Sequence, residues 1–111
     1  MKQSVPACVS AAIVFMGLTG CASRPAEPAI ATEPVVVSGI ELPPGAGQTV
    51  LTNACLGCHD LGGLQLFKGF YNRSSWRDLV LTMRANGAQV SIADVEVLTD
   101  YLTEHFGPDA P

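Results

Sequence analysis

Apolar residues recur at helical spacing in two stretches of this chain. Trp76, Leu79, Val80 and Met83 fall on one face of a helix, and so do Val95, Leu98, Leu102 and Phe106. Each stretch opens on a serine followed three residues later by an acid, Ser75-Trp76-Arg77-Asp78 and Ser91-Ile92-Ala93-Asp94, which is a capping signature. Asn86-Gly87 stops the first helix, and Gly107-Pro108 stops the second. Upstream, Val50, Leu51 and Ala54 share a face and predict a helix that opens at Gln48 or Thr49 and runs into Cys55–His59. Gly57 is a poor helix former, so this helix ends there. Residues 60–73 have no period and contain Gly62, Gly63 and Gly69. They read as a loop whose Leu61, Leu64, Leu66, Phe67 and Phe70 supply apolar contact. Three helices of about ten to fifteen residues then fill most of residues 47–107, an all-α fold.

The chain ahead of that unit has a different character. After Met1-Lys2, an apolar run from Val5 to Leu18 leads to Leu18-Thr19-Gly20-Cys21. A charged start, a short apolar core and small residues at its end describe a secretory signal over residues 1–20. Leu-Thr-Gly-Cys resembles the lipobox of bacterial lipoproteins, which implies that Cys21 is acylated and becomes the mature N-terminus. The competing reading is an ordinary signal with an incidental cysteine. Pro25, Pro28, Pro34, Pro43 and Pro44 break up the following segment and favour extended polyproline II geometry. Residues 21–46 therefore read as a lipidated tether reaching roughly 75 Å at about 3.1 Å per residue. Within it, Val35-Val36-Val37 can form a brief strand or pack on the domain, which is placed at residues 47–111.

Composition adds limits. The 111 residues hold one small domain, and the 48% apolar fraction is inflated by the signal. From Gly47 onward Lys68, Arg73, Arg77 and Arg84 face Asp60, Asp78, Asp94, Glu96, Asp100, Glu104 and Asp109. That mildly acidic balance offers no basic patch for nucleic acid. The acids fall mainly on the solvent side of the last helix, and Arg73 and Arg77 read as solvated or as partners for an anionic group.

The chemistry is concentrated in Cys55-Leu56-Gly57-Cys58-His59. Two cysteines with two residues between them, followed at once by histidine, form the attachment site of a c-type haem. On one turn the two thiols add across the haem vinyl groups, and the histidine addresses the iron. A thioredoxin-like dithiol expects a strand–helix–strand setting that is missing here. A zinc site wants four ligands at finger-like spacing, and the mature chain adds only His105 to these three. With Cys8 removed in the signal, Cys21 carries lipid and Cys55 and Cys58 carry haem, which leaves no disulfide. For the sixth iron position the inventory is short. Met83 is the only methionine after the signal, and its helix face points inward. His105 stands at the end of the last helix, an exposed position, so Met83 is preferred. No nucleophile–base or acid–base pair stands out near the motif, which argues against an enzyme.

These residues together resemble the small class I cytochromes c. Gly47-x-x-Val50-Leu51-x-x-x-Cys55-x-x-Cys58-His59 is similar to the family's first helix, and Tyr101-Leu102 to its last. Trp76 through Met83 to Gly87-Ala88 looks like a narrower group of single-haem domains found beside periplasmic dehydrogenases. The resemblance spans roughly residues 47–107. It implies a fold in which Gly47 permits close crossing of the first and last helices around one covalent haem c. It implies electron transfer, with a dehydrogenase or respiratory-chain component as redox partner, at the periplasmic side of a bacterial membrane. The other readings are a haem domain that binds or senses a ligand, and a non-catalytic redox subunit of an enzyme complex. The family's proline beyond the haem histidine is missing, so a different carbonyl must orient the imidazole. The interval from His59 to Met83 is also short for the family.

Overall fold

The computed structural model describes residues 29–111; the signal segment and Cys21 lie outside them. Two short strands come first, β1 (Val35–Val37) and β2 (Ile40–Leu42), paired antiparallel with Val35 opposite Leu42 and Val37 opposite Ile40. Their connection is Ser38-Gly39, both at positive φ (53° and 78°), the geometry a two-residue hairpin requires. Alternation along β2 sends Ile40 and Leu42 into the core and leaves Glu41 in solvent. The all-α expectation therefore holds for the elements that carry most of the core, but a β-hairpin joins them. Residues 35–42, read from sequence as tether, contribute Leu42 at 0% exposure. Alternation over three residues is too short to stand out among prolines.

Four helices follow: α1 (Ala46–Cys55), α2 (Gly63–Phe67), α3 (Arg73–Ala85) and α4 (Ile92–Phe106). Helix α2 occupies the segment read as an unstructured loop; it is one turn long and none of its residues is buried. Helix α4 is central, packing on α1 along one side and on α3 along another. Its buried stripe contains the predicted Val95, Leu98, Leu102 and Phe106, and adds Thr99 and Tyr101. The Thr99 hydroxyl donates to the Val95 carbonyl at 2.7 Å, so its burial leaves no orphan.

Gly47 sits where α1 crosses α4. A Cβ there would collide with Cβ and Cγ of Tyr101. The Tyr101 hydroxyl reaches across to donate to the Pro43 carbonyl at 2.7 Å. Burial, with a lesser contribution from Glu104, pushes this phenol up to about 12. Gln48, also buried, donates through Nε2 to the carbonyls of Leu42 (2.8 Å) and Glu33 (2.9 Å). One amide thus pins the hairpin to the start of α1.

The caps follow physical preference with one shift. Ser91 accepts from the Asp94 N–H at 3.0 Å, as its sequence pattern predicts. Helix α3, however, starts two residues before Ser75, and Asn72 accepts from the Ser75 N–H at 3.0 Å. Asparagine is at least as good a cap as serine, and the earlier start gains a turn. At the far end Ala88 N–H donates to the Met83 carbonyl and Gly87 N–H to that of Arg84, with Gly87 at φ 108°. That paired pattern closes a helix only when the left-handed position tolerates it.

Between α3 and α4 runs a ladder of charges. Arg73 Nη2 meets Glu96 Oε2 at 2.7 Å, Arg73 Nε meets Asp100 Oδ1 at 2.8 Å, and Arg77 Nε meets Glu96 Oε1 at 2.7 Å. The two arginines are thus taken up by the last helix, and part of its acidic face is paired rather than merely solvated.

Candidate functional site

Helix α1 ends on Cys55, and the chain turns through Leu56–Cys58 before reaching His59. Cys58 N–H donates to the Cys55 carbonyl at 3.4 Å, holding the turn. Both cysteines are free thiols; Cys55 is half-buried, while Cys58 and His59 are exposed. Burial, and secondarily the neighbouring Cys58, raises the Cys55 thiol above its ordinary pKa. No group of three or more histidine, cysteine and acidic side chains suited to a metal ion occurs among the described residues. A tetrahedral zinc site would need such a group.

The motif borders a cavity of about 330 Å³ with almost wholly apolar walls. Cys55 and His59 line it from the end of α1, Leu64 and Phe67 from α2, Leu79, Val80 and Met83 from α3, and Leu98 and Leu102 from α4. Met83 is half-buried there, 24 residues along the chain from His59. His105 does not line the cavity. Its side chain is 16% exposed, packed edge-on against Tyr101 at 4.6 Å between ring centroids. The exposed position anticipated for it from sequence is therefore a partly buried one, because its ring packs on Tyr101 one turn earlier on α4. Leu66 and Phe70, anticipated as cavity contacts, instead stand 76% and 80% exposed. Within α2, Leu64 and Phe67 border the cavity while Leu66 points away, and Phe70 lies in the turn beyond its end.

The His59 ring is oriented by a backbone group. Its Nδ1 lies 2.8 Å from the Asp60 carbonyl oxygen. A carbonyl only accepts, so Nδ1 carries a proton, and in the neutral ring it is Nε2 that keeps its lone pair. The carbonyl beside the ring belongs to the next residue in the chain, which sequence alone gave no means of choosing. A further unassigned donor lies on α3. Trp76 is fully buried, and its Nε1 has no hydrogen-bond partner among the described residues. It stands one turn before Val80 on the same stripe.

Compared with family models, with curated proteins and with solved structures, the chain matches none.

Proposed function

We propose that this chain is a lipid-anchored, single-haem electron carrier of the small class I cytochrome c kind, passing one electron at a time between periplasmic redox proteins. What supports this most is a coincidence of position. Cys55, His59 and Met83, chosen from sequence for covalent attachment and axial ligation, all border one apolar cavity although they come from different elements. In this reading Cys55 and Cys58 would hold haem c through two thioethers, and His59 Nε2 and the Met83 sulfur would ligate its iron. When bound, haem supplies an iron that moves between ferric and ferrous states.

The residues fit that group in two respects. The apolar walls exclude water, which limits the reorganisation accompanying each electron and keeps small molecules from the iron. The protonated Nδ1 leaves the ring in the ligating tautomer. A thioether ligand favours the ferrous state and raises the potential, which suits an acceptor of electrons from a dehydrogenase.

The test is ligation. The oxidised protein should show the weak sulfur-to-iron absorption at the red end of the visible spectrum, and Met83→Ala should abolish it. The reduced wild type should respond little to carbon monoxide, and Met83→Ala strongly. Avid carbon monoxide binding by the wild type would turn the reading toward a ligand-binding haem domain.

A further inference from the structure

The peptide unit joining Asp60 to Leu61 faces the site with one end and the β-hairpin with the other. Its carbonyl, on Asp60, accepts from His59 Nδ1 at 2.8 Å. Its N–H, on Leu61, donates to the Ser38 hydroxyl at 3.4 Å. A second tie comes from the Asp60 side chain, whose Oδ1 accepts from the Gly62 N–H at 2.7 Å and closes the turn around the same peptide. Ser38 is also the only non-glycine residue at positive φ among the described residues. A side chain kept where glycine is the easier choice suggests that the hydroxyl is retained for a purpose.

We propose that Ser38 and Asp60 are positioning residues for His59, clamping the Asp60–Leu61 peptide so that its carbonyl fixes the ring and strengthens it as a ligand. The proposal rests on the haem reading above. Because a peptide is planar, holding its N–H fixes the direction of its carbonyl. A donor at the N–H also polarises the carbonyl toward a better acceptor. Drawing the Nδ1 proton toward the carbonyl gives the ring more imidazolate character and makes Nε2 a stronger donor, which favours ferric iron and lowers the potential. The hairpin thereby acts on the ligand from outside the cavity.

The experiment compares full-length, haem-loaded wild type with Ser38→Gly, Asp60→Ala, Asp60→Asn and Gly62→Ala. It reads midpoint potential, the paramagnetic NMR shifts of the His59 ring and the thermal midpoint. Ser38→Gly relieves the positive φ, so its thermal midpoint should hold or rise. Its potential should rise too, with the ferric-to-ferrous ratio at fixed applied potential falling between about twofold and tenfold, the worth of one net hydrogen bond. A Cβ on Gly62 would stand 2.9 Å from Asp60 Oδ1 and displace it with the charge retained. Gly62→Ala and Asp60→Ala should therefore move potential and ring shifts the same way as Ser38→Gly. Asp60→Asn keeps the acceptor and should stay near wild type. Unchanged potential in Ser38→Gly and Gly62→Ala would overturn the proposal. So would a shift in Asp60→Asn as large as in Asp60→Ala, because charge would then be the cause. The Ser38 and Gly62 variants keep the test decisive if the Asp60 variants do not accumulate. A wild-type chain that takes up no haem overturns the electron-carrier reading as well, whereas unchanged potentials on loaded chains overturn this inference alone.

Discussion

Gly47→Ala adds one methyl group at the tightest point of the molecule. The new Cβ would stand 2.9 Å from Tyr101 Cδ2 and closer still to Tyr101 Cβ and Cγ. A Cβ belongs to the backbone frame and cannot swing aside, so α1 and α4 must move apart. Overpacking of this kind costs about 1–3 kcal/mol, and the immobile contact atom puts this site at the upper end. Alanine returns up to about 1 kcal/mol of helix propensity, less in a first turn. The net loss is then about 2 kcal/mol, which in a domain of this size lowers the thermal midpoint by about 8–16 °C. Far-UV circular dichroism melts of wild type and variant measure it. Gly57→Ala is the control, because nothing lies within 4 Å of its would-be Cβ. A Gly47→Ala midpoint equal to or above wild type would refute the crossing.

Leu42→Ala should cost about 2–5 kcal/mol, as emptying a fully buried leucine site does, and a loss below 1 kcal/mol would return the hairpin to the status of a tether. Arg77 first, and Arg73 next, hold the Glu96 carboxyl below its usual range. A depressed folded pKa gives stability that is present above the unfolded pKa and lost as pH falls through the folded one. The thermal midpoint of wild type should therefore exceed that of Glu96→Gln at neutral pH, with the gap closing in acid; a gap unaffected by acid would dismiss the ladder as its source. Cys21→Ala should release the protein from membranes into the soluble periplasmic fraction, and unchanged membrane association would remove the lipid anchor.

What the sequence made legible was whatever repeats or punctuates. Helices α3 and α4 announced themselves because Trp76–Met83 and Val95–Phe106 keep their period over about two and three turns, and Gly87 and Gly107 mark their ends. The five-residue motif stood out because its spacing is a compact signature, and the structure sets its Cys55 and His59 beside one apolar cavity. The hairpin was not, since Ile40 and Leu42 alternate over too few residues to outweigh the prolines around them. The charge ladder was recoverable in principle: Arg73 and Arg77 are four apart, as are Glu96 and Asp100, so two helix faces carry matching intervals. Only the packing of α3 on α4 says that those faces meet. The Asp60 carbonyl lay beyond reach because backbone acceptors have no sequence signature.

The central claim is covalent attachment of one haem through Cys55 and Cys58. It is tested by unfolding the protein, purified from cells able to attach haem, and measuring mass and visible absorbance on the denatured chain. The account predicts that haem absorbance stays with the polypeptide, that its mass rises by one haem, and that Cys55→Ala/Cys58→Ala abolishes both. A mature wild-type chain of unmodified cysteine mass, with no absorbance after unfolding, would contradict it.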